Sequence, residues 1–176
     1  MKEGTKSIVV LTVICLIVAA ALAVVNNFTA PLIEVADAKA AEEACYVVMP
    51  DAAGFEELTG DALPEGLPST VKNVYREVNG EGYAIQLSVK GYDTGLVVLC
   101  GISSDGTITG TTIVSSNETP SIGGKAEKSS YSDQYLGKTE TLEGVEAITG
   151  ATYTSNGYKS AVQDAFKAFA LLERGG

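Results

Sequence analysis

Thr149-Gly150-Ala151-Thr152 is an uncharged turn of small and hydroxyl-bearing residues standing directly before an amphipathic run. Two chemistries fit it. Thr154, Ser155 and Asn156 are all good N-cap residues, so the cluster can be read as a capped helix start. That reading leaves Gly150, Ala151 and the extra hydroxyl of Thr152 without a task. Small residues let another group approach the backbone closely, and a helix N-terminus offers free N–H donors and partial positive charge to an anion. A phosphate is the anion this suits best. On the residues alone both readings stay open. A second segment, Asn117-Glu118-Thr119-Pro120-Ser121-Ile122-Gly123 and the residues after it, carries Gly, Ser, Lys and Pro and reads as an ordered functional loop or as a floppy surface connection.

The elements that must position these residues are legible around them. After the turn, Val162, Ala165, Phe166, Phe169 and Leu172 recur at spacings of three and four, the core face of a helix packed on a sheet. Before the loop, "YAIQLSVK" alternates, with Tyr83, Ile85, Leu87 and Val89 on one face and Ala84, Gln86, Ser88 and Lys90 on the other. "VYREV" precedes it through "NGEG", a hairpin turn. "LVVLCGI" is an apolar run suited to a central strand, and "SSDG" turns it into the β-branched "TITGTTIVSS". The expectation is an α+β domain with four strands of antiparallel sheet packed by helices, over residues 71–176. Ahead of it, "PLIEVADAKAAEEACYVV" reads as helix and "MPDAAGFEELTGDALPEGLPST" as an irregular linker, so residues 26–70 are a helical stalk and linker.

Composition removes several function classes. With 12 basic and 22 acidic residues the net charge is -10, which leaves no basic patch for nucleic acid. The absence of His removes His general bases, His-containing zinc sites and haem ligation through His. Cys15, Cys45 and Cys100 are too few and too scattered for a metal or iron–sulfur motif, so no metal site is expected. Cys45 and Cys100 read as buried side chains rather than as a disulfide.

Ile8 to Val25 is 18 residues without a charge, which as a helix spans about 27 Å, close to the hydrocarbon thickness of a bilayer. Its length, and the bulkier sequence that follows it, favour an uncleaved anchor over a signal peptide. Lys2 and Lys6 precede the span, while Glu34 and Asp37 follow it ahead of Lys39. This asymmetry puts residues 1–7 in the cytoplasm, residues 8–25 in the lipid bilayer and the main domain outside.

"EAITGATYTS" resembles the flavinylation motif Asp-x-x-(Ser/Thr)-Gly-Ala-Thr of the FMN-binding domain family, found in the G subunit of Rnf complexes and the C subunit of the sodium-pumping NADH:quinone oxidoreductase. A second likeness lies upstream, where Asn117–Gly123 follows the strands as the family's His-x-Glu-Thr-Pro-Gly-Leu-Gly loop does. "YLGKT", with Lys138, sits where the family tends to have Phe-x-Gly-Lys. Glu146 stands where the motif usually has Asp, Ser121-Ile122-Gly123 where it has Gly-Leu-Gly, and the loop's His is absent. The likeness covers about residues 8 to 172.

The resemblance implies FMN joined by a phosphoester to Thr152, installed from FAD by a flavin transferase with magnesium. It implies a site of Thr149, Gly150, Ala151, Thr152, Thr154 and Ser155 around the phosphate, with Glu118, Thr119, Ile122 and Gly123 against the ring and Lys138 nearby. Chemistry then belongs to the flavin, and no acid–base pair is present for a substrate reaction. The implied role is an electron relay in an Rnf-type membrane complex that couples electron flow between ferredoxin and NAD to ion transport, with the other membrane subunits as partners. The compact length fits the Rnf type better than the longer quinone-oxidoreductase type. The rival readings are a solo membrane-anchored extracellular flavoprotein and a non-redox surface binding module whose turn is only a helix cap.

Overall fold

The computed structural model describes residues 2–175, and the side chains of residues 2–5, 31–38 and 175 lie outside that description. Lys2, Glu34 and Asp37, three of the flanking charges that orient the anchor, are therefore outside the described residues. The chain divides into a unit ending at Ala40 and a compact unit of residues 41–176.

The first unit is helix. Helix α1 runs from Lys2 to Val48, and its segment Lys6–Ala30 is long and apolar enough to cross a membrane, with a mean hydropathy of 3.3 and none of it buried within the protein. Uniform apolarity around the whole helix, rather than along one stripe, is what a lipid surround demands.

The compact unit is built on a five-stranded antiparallel meander: β1 Phe55–Leu58, β2 Val71–Glu77, β3 Gly82–Lys90, β4 Thr94–Ser103 and β5 Ile108–Ser115, in that order across the sheet. The sequence reading expected four strands. The fifth, β1, lies in the segment read as linker, where Phe55–Leu58 pairs with Val74–Glu77. Its brevity and paired acids at Glu56 and Glu57 hid it, since only Leu58 is buried.

Strand periodicity sorts the sheet's side chains onto two faces. Ile85, Leu87 and Val89 of β3 with Leu96, Val98, Cys100 and Ile102 of β4 form the larger core. Beyond the short helix α2, Ser129–Ser132, helix α3, Thr152–Gly175, covers it with Tyr158, Ala161, Val162, Ala165, Phe166, Ala168 and Leu172. Phe169 packs at the edge against Tyr83, ring centroids 6.0 Å apart. The opposite face, expected from the alternation to be the polar one, holds a second core. There Tyr75, Ala84 and Leu99 are covered by Cys45, Val48 and Met49. The last turns of α1 thus belong to the domain. Cys45 and Cys100 are unpaired and sit in these separate cores on either side of the sheet. Burial, with Glu42 adding to it, pushes the Cys45 thiol up to about 12, and burial also raises Cys100.

Close approach of Val48 to the sheet depends on a glycine pair. Gly101 and Gly110 face each other across β4 and β5. A Cβ on Gly110 would lie 2.8 Å from both the Cα and the carbonyl oxygen of Val48. Replacing Gly110 by Ala is therefore expected to destabilise the domain by about 1–3 kcal/mol through overpacking, read as a lower denaturant midpoint at unchanged slope.

The β2–β3 hairpin is closed by Glu77, whose fully buried carboxylate accepts N–H bonds from Ala53 at 3.1 Å, Asn79 at 2.6 Å and Glu81 at 3.2 Å. Burial alone would raise its pKa. The backbone donors outweigh burial and hold it below the ordinary glutamate value. A folded-state pKa below the unfolded one gives stability that is present above the ordinary value and lost as pH falls through the lowered one. Glu77→Gln should therefore lower the melting temperature at neutral pH and flatten its decline in acid, as followed by thermal melts across the carboxylate range.

Candidate functional site

The turn that opens α3 shows how its four residues divide the work. Ala151 N–H donates to Ile148 O at 2.9 Å, closing a four-residue turn in which Gly150 takes the third place with φ +82°. Glycine is the residue that enters this region without steric cost. Ala151 is buried and flanks the helix start, and Thr152 is its first residue, exposed to solvent. The helix therefore begins before Thr154 and Ser155, which lie within its first turns and are not its caps. Ala is a poor N-cap, so the first N–H groups gain no side-chain oxygen from that position.

Both inner hydroxyls are committed to the protein itself. Ser155 Oγ donates to Ala151 O at 3.0 Å and accepts the Ile148 N–H at 2.9 Å, binding the turn to the helix. Thr154 Oγ1 donates to Glu118 Oε2 at 2.9 Å. Both hydroxyls that the resemblance set around a phosphate thus hold internal partners here, and Thr154 also lines the cleft. Thr152 keeps the outward-facing hydroxyl of the set.

Glu118 joins the loop, the β3–β4 turn and the helix. It is buried, and its Oε1 accepts N–H bonds from Tyr92 at 2.8 Å and Asp93 at 3.2 Å, while Oε2 takes the Thr154 hydroxyl. Glycines make room for this: a Cβ on Gly91 would collide with Glu118 Oε1, and one on Gly123 with Glu118 Oε2 and Thr154 Oγ1. Thr119 O accepts from Ile122 N–H and Gly124 N–H, each at 3.0 Å, so the loop is folded on itself.

These segments enclose a cleft of about 430 Å³, within the usual size of small-molecule sites. Gly150, Ala151, Thr152 and Thr154 line one wall, and Glu118, Thr119, Ile122 and Gly123 another. Tyr92 and Tyr153 complete it, 75% and 72% exposed, with ring centroids 6.3 Å apart. Sequence reasoning missed both tyrosines. Tyr153 was embedded in a stretch chosen for its hydroxyls, and Tyr92 lies in a strand turn whose only signal was an aromatic between Gly91 and Asp93. Tyr131 and Tyr135 are core residues, packed with Tyr158. Thr149, the second residue of the turn, is exposed but outside the cleft lining. Lys138 also stands outside it: its carbonyl accepts the Ile108 N–H at 2.9 Å, and Gly137 N–H returns a bond to Ile108 O. The "YLGKT" element thus caps the start of β5.

The cleft fits a flavin mononucleotide in kind. It offers exposed aromatic and aliphatic surface at Tyr92, Tyr153 and Ile122, a free hydroxyl at Thr152, and the N-terminus of a long helix for a phosphate. The FMN-binding domain model matches residues 91–167, which span the cleft walls. The chain is thus an FMN-binding-domain protein. It is 35% identical to the G subunit of the Na(+)-translocating ferredoxin:NAD(+) oxidoreductase complex of Acetobacterium woodii, over 94% of this chain and 91% of that one. It is 32% identical to the G subunit of the ion-translocating oxidoreductase complex of Methanosarcina acetivorans, over 93% of each. Identity to the G subunit of the proton-translocating ferredoxin:NAD(+) oxidoreductase complex of Clostridium ljungdahlii is 27%, over 94% of this chain and 91% of that one. This chain belongs to the family of Rnf-complex G subunits.

If φ at Gly150 is what the turn requires, Gly150→Ala should cost about 1–2 kcal/mol of left-handed strain, with Asn tolerated better. No side chain crowds the position, so the effect, measured by thermal unfolding of the pair of variants, isolates backbone conformation from packing.

Proposed function

We propose that this chain is the electron-transfer subunit of an ion-translocating oxidoreductase complex and carries FMN covalently on the hydroxyl of Thr152. The observation that supports this most is the exposed Thr152 at the first position of α3, lining the cleft while its neighbours' hydroxyls are tied inward. A phosphoester there leaves one negative charge, opposed by the N–H groups of the first turn and the helix dipole. No Lys or Arg is among the described residues lining the cleft, so backbone carries that task. When bound, FMN would supply reversible electron uptake. The chain supplies a rigid floor at Ile122 and Gly123, aromatic flanks at Tyr92 and Tyr153, and a fixed attachment point.

The membrane-crossing segment anchors the domain, with the N-terminus cytoplasmic and the flavin domain on the outer side. Covalent attachment suits that side, where a dissociated cofactor could not be replaced. The other subunits of the complex are its donor and acceptor, and a flavin transferase loads Thr152 during maturation.

The test is intact mass and in-gel flavin fluorescence of native, Thr152→Ala and Thr152→Ser chains coexpressed with the transferase. The native chain should gain one FMN less one water, the Ala variant nothing, and the Ser variant some modification because it keeps a hydroxyl. Equal loading of the Ala variant would overturn the attachment site. A native chain left unmodified beside a flavinylated control would overturn the covalent reading itself.

A further inference from the structure

Glu118 is the only residue with a charged side chain among the described residues lining the cleft. Three donors converge on its carboxylate, the N–H groups of Tyr92 and Asp93 and the Thr154 hydroxyl, and it donates to none of them. Both carboxylate oxygens are thus used as acceptors. Gly91 and Gly123, without side chains, let the backbone close around it, so the charge is held in place with little water and at one position. A surface glutamate would need none of this enclosure. The packing that holds the walls of the cleft together also fixes a negative charge inside it.

We propose that Glu118 is a positioning residue with a second effect: its fixed charge sets the midpoint potential of the flavin in this cleft and holds it low. The inference rests on the flavin reading above. An oxidised flavin ring bound here would take up two electrons and one proton to become a reduced ring with one negative charge. A buried carboxylate in the lining of the same cleft raises the free energy of that charged form more than that of the neutral one. The balance shifts toward the oxidised ring, and the potential falls. The three neutral donors stabilise the carboxylate without cancelling its charge.

Glu118→Gln separates charge from scaffold. A Gln oxygen can accept the two backbone N–H bonds, and its amide can donate to Thr154 Oγ1, so the contacts survive with the hydroxyl reversed. Flavinylated native, Glu118→Gln and Thr154→Val full-length chains would be titrated by spectroelectrochemistry, with thermal melts and flavin loading measured alongside. The Gln variant should still take flavin, melt lower because three bonds to a charged acceptor become neutral ones, and move its midpoint positive. Thr154→Val leaves the charge in place and removes one donor, so its midpoint should stay at the native value or fall below it. An unmoved or negative shift in a flavinylated Gln variant overturns the inference, and so do shifts of both variants in the same direction, which a purely structural clamp would produce. If Glu118→Gln takes no flavin, Thr154→Val decides alone, a positive shift overturning the inference. A native chain that takes no flavin overturns the parent reading as well, and is distinguished by its unmodified mass.

Discussion

One buried carboxylate holds the cleft together. Glu118 reaches from the loop after β5 to two N–H groups at the β3–β4 turn and to a hydroxyl in the first turn of α3. Hydrogen bonds to a charged group contribute about 1.5–3 kcal/mol each when formed and cost as much or more when broken and left buried. Segments 25 and 36 residues away in the chain are thereby fixed relative to one another. With the loop held, Ile122 and Gly123 face the α3 start across the cleft, and Thr152 keeps a defined place beside them.

That arrangement requires a stiff support behind it. One face of the sheet is buried by α3, and the opposite face is covered at Tyr75, Ala84 and Leu99 by the last turns of α1. The two packings together tie the strand register, while Gln86, Ser88 and Lys90 keep part of the second face open to water. Glu77 does for the β2–β3 end what Glu118 does for the cleft, satisfying backbone donors that the hairpin would otherwise leave without partners. In a chain with net charge -10, these two acids are structural. Many of the others lie on the surface, where their repulsion is screened by solvent.

The small residues of the Thr149–Thr152 turn have distinct physical tasks. Gly150 supplies a left-handed conformation, Ala151 fills a buried position at the helix start, and Thr152 stands clear of internal bonds. A polar cluster that looked like a choice between capping and ligand binding is neither as a whole. Thr154 and Ser155 hold internal bonds, and Thr152 is the exposed hydroxyl that lines the cleft.

The sequence by itself determined the local elements: the apolar span, the α3 face at three-and-four spacing, the hairpin through "NGEG" and the order of the two motifs. Each is written in periodicity or turn chemistry over a few residues, so no distant contact is needed to read it. The tertiary structure alone decided the rest. β1 becomes a strand only because β2 offers it an edge, and Ala84 is buried only because Val48 comes to lie over Gly110. Tyr92 joins the site through a turn that Glu118 draws in from a distant loop. Lys138 leaves it because its backbone completes the edge of β5. Partners far apart in the chain leave no periodic trace, since a hydrogen bond between them depends on where the whole backbone runs.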